Sequence, residues 1–113
     1  MARPPITKRV CKQPLCVGFT PLGREEKGGV VSITVDEYEA IRLIDLEGVS
    51  REECARRMDI ARTTAQSIYN SARVKIADSI VHGRELHIEG GAFSLCDGSA
   101  ECPDCGRKKL SVD

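Results

Sequence analysis

The chain has 113 residues, with 17 basic and 17 acidic side chains, a length typical of one small domain. Aromatic residues make up 4% of the sequence and tryptophan is absent, which argues against a large aromatic-lined substrate pocket. No apolar run approaches the roughly 18 residues of a transmembrane helix. The residues after Met1 also lack the apolar run of a secretory signal, so we expect a cytoplasmic protein.

The charges are unevenly distributed, although the formal net charge is zero. Residues 1–23 carry four bases and no acid, residues 34–49 are acidic, and residues 51–84 hold seven bases against four acids. Basic segments separated by acidic ones can still form a local face that attracts phosphate. A nucleic-acid partner is therefore compatible with zero net charge.

The sequence divides into three segments. Residues 1–29 are rich in proline and glycine and predict a basic extended arm or loop, not a packed element. Residues 30–89 predict a helical domain with short flanking strands, the first at residues 30–33. Residues 90–113 form a tail rich in glycine and cysteine.

Two short helices are predicted from capping boxes, in which a Ser or Thr is followed three residues later by Glu. The first box is Thr34 with Glu37, and its helix keeps an apolar period to about Glu47. Gly48 fits the left-handed position just past a helix end. The second box is Ser50 with Glu53, and its helix continues through about Met58 with Cys54, Ala55 and Met58 facing inward.

A third and longer helix is predicted over residues 62–81 and ends at Gly83. Its inward stripe has spacings of three and four residues and consists of Ala65, Ile68, Tyr69, Ala72, Ile76 and Ile80. Asp59 is expected to adopt a left-handed backbone in the turn before this helix. Residues 85–89 alternate and predict a strand that pairs with residues 30–33.

Residues 50–73 have the layout of a DNA-binding helix-turn-helix, which is a short helix, a three-residue turn and a longer helix. Ala55 is small enough for a close helix crossing, and Ile60 can place an apolar side chain from the turn into the core. The outer face of the longer helix is polar, as a helix in the major groove requires. The predicted DNA-binding residues are Arg62, Thr63, Thr64, Gln66, Ser67, Asn70 and Arg73.

These residues have different predicted roles. Gln66 and Asn70 lie one helical turn apart and are expected to contact base edges. Arg62 or Arg73 would donate to guanine or phosphate, and the shorter side chains of Thr63, Thr64 and Ser67 would contact phosphates. The basic arm is expected to follow a neighbouring groove or the DNA backbone. A homodimer is expected to form through the end of the long helix, at Ile76, Ile80 and Val81.

Several motifs carry a resemblance to known families. They are Tyr38-Glu39-Ala40-Ile41-Arg42-Leu43, Glu47-Gly48-Val49-Ser50 and Arg62-Thr63-Thr64. Through them, residues 34–84 resemble the promoter-binding region of bacterial sigma factors. Nearly the whole chain also resembles a family of small prokaryotic predicted DNA-binding proteins of unassigned function, through Arg3-Pro4, Arg9-Val10-Cys11, Leu43-Ile44-Asp45-Leu46 and Ser71-Ala72-Arg73-Val74-Lys75-Ile76-Ala77. The resemblance implies a helix-turn-helix that binds double-stranded DNA.

The chain departs from that family's pattern at two positions. Asp59 stands where the pattern usually has Gly, and Ala61 stands where it has a Ser that caps the next helix. Alanine has no side-chain acceptor, so the missing cap lowers stability by about 1 kcal/mol.

The cysteines suggest a metal site. Cys102 and Cys105 lie within Cys-Pro-Asp-Cys-Gly, a knuckle in which two thiolates can bind one ion, zinc or iron. A structural site needs about four ligands, and Cys96, Cys11 and Cys16 are the further candidates. The alternative is that these are free or redox-active thiols. Cys54 is expected to be a packed core thiol.

No phosphate loop, metalloprotease motif or nucleophile elbow is present, so we expect no enzymatic activity. The sequence thus predicts a mostly α protein with a three-helix helix-turn-helix core, short β segments and loop-rich termini that contain cysteines. We expect a sequence-specific DNA-binding protein that regulates transcription. The alternatives are a metal- or redox-responsive module and an adaptor that contacts RNA polymerase.

Overall fold

The computed structural model describes residues 8–11, 14–23, 28–91 and 93–95. These residues form a mostly α protein with short β segments, as predicted. The elements in chain order are β1 (Lys8–Val10), β2 (Gly18–Phe19), β3 (Val30–Ile33), α1 (Val35–Ile41), a π-helical turn (Arg42–Leu46), α2 (Arg51–Met58), α3 (Arg62–His82), β4 (Glu85–Ile88) and β5 (Phe93–Leu95).

The predicted capping box at the start of α1 is confirmed. The Thr34 hydroxyl accepts a hydrogen bond from the Glu37 backbone N–H, and the Glu37 carboxylate accepts one from the Thr34 N–H. The helix does not stay α-helical to its end, because the Glu47 N–H donates to the carbonyl of Arg42, five residues earlier. Gly48 follows with a φ of 77° and ends the helix as predicted.

The second capping box is only half formed. The Ser50 hydroxyl accepts from the Glu53 N–H at 3.0 Å, so α2 begins where predicted. The prediction that Glu53 completes the box is wrong, because its carboxylate pairs with Arg56 and Arg57 instead. Two guanidinium groups on the same helix outcompete one backbone N–H for this carboxylate.

The turn between α2 and α3 has the predicted backbone. Asp59 has a φ of 60°, in the left-handed region, and the Ile60 side chain packs against the core. Ala61 precedes α3 in extended conformation without a side-chain capping bond, as its residue type dictates. Gly83 ends α3 with a φ of 64°.

The predicted inward stripe of α3 is right for its first part and wrong at its end. Ala65, Tyr69 and Ala72 are buried, and Ile68 and Ile76 are half-buried. Ile80 is 74% exposed. Because α3 has 21 residues whereas α1 and α2 have 7 and 8, its last turns extend beyond the helices that cover its first part.

The strands form two small sheets. The predicted pairing of residues 30–33 with the strand after α3 is confirmed, since β3 and β4 run parallel with Val30 opposite Glu85. β2 adds to the other side of β4 in antiparallel orientation. β1 pairs with β5 in parallel.

The prediction that residues 1–29 are an unpacked arm is wrong for the strands that the structure describes there. Val10 of β1 is fully buried, and Lys8 lies 3.7 Å from the Asp36 carboxylate. The Cys11 N–H donates to the Glu39 carboxylate at 3.0 Å. The partners of β1 are distant in sequence, so the local composition of the arm does not reveal this packing.

The core lies between the three helices. Its buried members are Ala40, Leu43, Cys54, Ala55, Met58, Ala65 and Tyr69. Cys54 is fully buried, as predicted for a core thiol, and burial raises its pKa to about 11, with a further contribution from the Glu39 carboxylate. Glu39 forms a buried two-bond ion pair with Arg42 at 2.9 Å, which satisfies both charges inside the fold. No helix in the described part of the chain is long and apolar enough to cross a membrane.

Candidate nucleic-acid interface

The start of α3 presents a polar face to solvent. Arg62 is its first residue, and the side chains of Thr63, Ser67 and Asn70 are exposed along the next two turns. The opposite side of the same helix is anchored in the core by Ala65 and other buried residues. The polar side chains therefore stand on a rigid support.

Two of the predicted base-contacting residues touch each other. The Nε2 of Gln66 donates a hydrogen bond of 3.0 Å to the Oδ1 of Asn70. This bond does not use the carbonyl oxygen of Gln66 or the amide NH₂ of Asn70, which leaves one acceptor and one donor group available for a further partner.

Thr64 lies at the edge of the polar face, about 60° around the helix from Ser67. At 3.6 residues per turn it is about 160° around the helix from Gln66, and it is half-buried. Thr63, which shares its predicted contact with phosphate, lies about 100° away around the helix.

Arg73 is engaged within the protein. Its guanidinium lies 3.5 Å from the Asp45 carboxylate and 5.5 Å from the centre of the Tyr69 ring. The Tyr69 hydroxyl in turn donates to Asp45 at 2.7 Å, and this bond, together with burial, raises the pKa of Tyr69. The side chain of Arg73 is nevertheless 61% exposed.

Arg51 lies on the same tyrosine and was not among the predicted site residues. It is the first residue of α2, it is exposed, and its guanidinium is 5.0 Å from the centre of the Tyr69 ring. The four-residue spacing of Tyr69 and Arg73 could have suggested a cation–π pair from sequence. The contribution of Arg51 comes from another helix, which local spacing does not reveal.

The arginines at the other end of α2 are paired with groups of the protein itself. Hydrogen bonds from Arg56 and then Arg57 lower the pKa of Glu53 to about 2. Arg9 of β1 donates to the carbonyls of Arg57 and Arg56, at 2.9 and 3.4 Å. Cations at a helix C-terminus are favourable there because they satisfy carbonyls that lack intrahelical partners. Arg9 thus caps α2, which differs from the role expected of the basic arm. Arg62, by contrast, has no ion-pair partner among the residues that the structure describes.

Glu37 connects the start of α1 to the middle of α3. Its carboxylate accepts hydrogen bonds from Ser71 at 2.6 Å and from Lys75 at 3.1 Å. Burial alone would raise the pKa of Glu37, but the bonds from Ser71, the Thr34 backbone and Lys75 outweigh it and lower the pKa below its ordinary value. This contact fixes α3 relative to α1.

The predicted metal ligands are only partly within the described residues. Cys11 is half-buried and Cys16 is exposed, whereas Cys96, Cys102 and Cys105 lie outside the described residues. Within residues 8–11, 14–23, 28–91 and 93–95, no group of three or more His, Cys, Asp or Glu side chains could hold a metal ion. The zinc or iron site stays a prediction.

The fold and this face define a small, mostly helical protein whose longest helix presents a polar surface beside exposed arginines. The chain belongs to the family described as "Protein of unknown function DUF134", whose model matches residues 1–96.

Relatives named UPF0251 protein resemble the chain over most of its length. The one from Desulfitobacterium hafniense strain Y51 is 52% identical over 99 residues, which are 87% of this chain and 79% of the relative. Those from Pelotomaculum thermopropionicum and Halothermothrix orenii are 44% and 43% identical, over 96% of this chain and 83% and 81% of theirs. No solved structure gives a significant match.

Proposed function

We propose that this protein binds double-stranded DNA in a sequence-specific manner and regulates transcription. The observation that carries the proposal is the hydrogen bond between half-buried Gln66 and exposed Asn70 on a helix whose other side is buried. Amide side chains of this kind form paired hydrogen bonds with the edge of adenine in the major groove. In this proposal α2, the turn and α3 act as a helix-turn-helix, with α3 in the groove.

The positive charge at the start of α3 also supports the placement of this helix in the groove. Arg62 stands at the N-terminus of α3, where backbone N–H groups without intrahelical partners also point outward. Together they form a phosphate-binding position at one end of the polar face. Thr63 and Ser67, both exposed, provide shorter hydroxyl donors to the backbone.

The proposed protein partner is a second copy of the chain. Ile80 and Val81 at the end of α3 are each 74% exposed, and Ile80 lines a shared concavity with Phe19 and Leu22, which are 58% and 95% exposed. Exposed apolar surface of this extent is typical of a protein interface.

The dimensions of α3 favour a symmetric dimer. About 18 Å of helix separates Ile80 from the midpoint between Gln66 and Asn70. Two copies meeting at Ile80 would hold their polar faces up to about 36 Å apart, close to one turn of DNA, the separation of half-sites in dimeric helix-turn-helix proteins.

The proposal is tested by measuring binding of the purified protein to genomic DNA fragments across a salt series, with and without a chelator. Selective binding that weakens steeply with salt is expected, because bound phosphates release their counterions. Loss of DNA binding in the presence of the chelator would show that binding also requires the predicted metal. A folded protein that binds no fragment, but associates with RNA polymerase independently of salt, would replace this proposal by the adaptor alternative.

A further inference from the structure

Two arginines from different helices share one aromatic ring. Arg51 begins α2 and Arg73 lies in the fourth turn of α3, yet their guanidinium carbons are 5.0 and 5.5 Å from the centre of the Tyr69 ring. Both distances are within the range of a cation–π contact, which requires about 6 Å or less. The ring itself is only 3% exposed, so the two guanidinium groups lie on the solvent side of a buried platform.

The charge of this group is incompletely neutralised. Asp45 lies 3.5 Å from Arg73 and also accepts the hydroxyl bond of Tyr69. Arg51 has no carboxylate partner among the described residues. Two positive charges and one negative charge leave a net charge of +1 at an exposed position, which favours binding of one further anion.

We propose that Arg51 and Arg73 bind one phosphodiester of the DNA backbone together. Tyr69 and Asp45 act as positioning residues: the ring supports both guanidinium groups, and the carboxylate orients the ring while competing with the phosphate for Arg73. Guanidinium groups suit this role because they can stack on an aromatic ring and present a planar set of donors to phosphate. The inference rests on the proposed function, since the phosphate belongs to the DNA that α3 contacts.

The spacing of Arg62 and Arg73 along α3 is compatible with the width of the DNA major groove. Arg62 and Arg73 are 11 residues apart, close to three helical turns, and lie on the same edge of α3 about 16 Å from each other. Gln66 and Asn70 lie between them along the helix. A helix with a phosphate contact at each end could thus bridge the two backbones that border the roughly 12 Å major groove.

The test compares the salt dependence of DNA binding for Arg51→Gln, Arg73→Gln and the double variant. If both arginines bind one phosphate, the double variant is expected to lose about 0.9 from the slope of log K against log salt concentration, the value of one phosphate. Arginines that bind two separate phosphates would give a loss of about 1.8, which would overturn the inference. Arg56→Gln, which removes another exposed arginine of α2, is the matched control and should leave the slope unchanged.

Two further variants distinguish positioning from charge. Arg51→Lys keeps the charge but not the planar donors, so its affinity should stay closer to that of Arg51→Gln than to wild type. Asp45→Asn keeps an acceptor for Tyr69 and releases Arg73, so affinity should rise roughly 2- to 5-fold, the range of a surface ion pair. The same removal of charge at the exposed Glu52 should have a smaller effect. Full rescue by lysine, or an equal gain from Glu52→Gln, would overturn the positioning roles.

The source of the phosphate and the proposed function are tested separately. The Nε–H resonances of Arg51 and Arg73 should shift with duplex DNA but not with inorganic phosphate at equal ionic strength; an equal shift with phosphate alone would overturn the assignment to the DNA backbone. If the wild type binds DNA and the double variant binds it with unchanged affinity, the shared phosphate contact of Arg51 and Arg73 is overturned and the proposed function is not. If the wild type does not bind DNA, the proposed function is overturned together with this contact.

Discussion

Gln66 and Asn70 are connected by a side-chain hydrogen bond of 3.0 Å that runs along the exposed side of α3. The bond restricts the rotamers of two otherwise freely rotating amides, so less conformational entropy would be lost when they meet a base. It also determines which groups remain for a further partner, because the donated Nε2 hydrogen and the accepting Oδ1 are already used. In the proposed function, the pair would thus be ordered before DNA binds.

Replacing both amides by alanine should reduce sequence discrimination while leaving the fold intact. Each good base contact contributes about 1–3 kcal/mol of discrimination, so the preference for a selected site over random DNA should fall at least about 10-fold. Competition binding with selected and random duplexes measures this ratio. Thermal unfolding should be unchanged, since the polar face is not part of the core. Selective binding that persisted in Gln66→Ala/Asn70→Ala would show that these residues are not the base contacts.

Arg62→Ala should weaken binding to all DNA sequences alike. Arg62 lacks an ion-pair partner in the described part of the chain and stands at the N-terminus of α3, which suits a backbone contact that carries no sequence information. The slope of log K against log salt concentration should become smaller by about 0.9. Arg56→Ala is the control, because the side chain of Arg56 is also exposed but already forms an ion pair with Glu53. A change confined to one DNA sequence would instead assign Arg62 to a base.

The two helix starts in residues 50–62 offer a matched pair of stability changes. Ser50 caps α2 through the Glu53 N–H, whereas Ala61 occupies the cap position of α3 without a side-chain bond. Ser50→Ala should therefore lower the free energy of unfolding by about 1 kcal/mol, and Ala61→Ser should raise it by a similar amount. Urea unfolding at neutral pH measures both. Equal effects of the same sign would mean that the backbone at one of these positions does not act as a cap.

Much of the helical fold could be predicted from the sequence because its signals are local. Thr34 with Glu37, Ser50, and Gly83 mark helix ends through bonds or backbone angles within four residues, and each was found where predicted. The packing of β1 could not be predicted, because Val10 is buried by elements that are distant in sequence. The exposure of Ile80 follows from the relative lengths of the helices, which a periodic stripe does not contain.

The same distinction applies to the candidate site. Gln66 and Asn70 follow from helical spacing, and the structure brings them into contact. Arg51 reaches Tyr69 only because α2 packs against α3. Asp45 contacts Tyr69 from the π-helical turn, which lies before both helices in the chain. Residues that act across two elements therefore became visible only with the tertiary structure.

Stability should decrease in acid, partly through Glu37. Burial would raise the pKa of Glu37, but hydrogen bonds from Ser71, Thr34 and Lys75 outweigh burial and lower the pKa below that of the unfolded chain, whose ordinary value is 4.5. A carboxylate with a lowered folded pKa contributes stability that is fully present above the unfolded pKa and is lost as the pH falls through the folded value. The free energy of unfolding, measured from pH 7 down to about pH 3, should therefore decrease once the pH is below about 4.5.

Glu37→Gln should be less stable than the wild type at neutral pH, and its free energy of unfolding should decrease less steeply in acid. Glu89→Gln, at an exposed position, should match the wild type in both respects. If the free energy of unfolding of Glu37→Gln decreases in acid as steeply as that of the wild type, the decrease is due to other carboxylates.

Ile80→Glu should convert a dimer into a monomer without unfolding it. Ile80 is 74% exposed in the single chain, so a charge there meets water when the chain is alone but would be buried in the proposed contact with a second copy. Sedimentation velocity at micromolar concentration measures the mass, and thermal unfolding confirms the fold. Leu46→Glu is the control, because Leu46 is 79% exposed on the π-helical turn, away from the end of α3.

On DNA, the wild type should prefer two half-sites about one helical turn apart, and Ile80→Glu should lose that spacing preference while each half-site is still bound weakly. A wild-type protein that remained monomeric both free and on DNA would exclude the second copy as the partner of this surface. Dissociation by Leu46→Glu but not by Ile80→Glu would move the dimer contact to the π-helical turn.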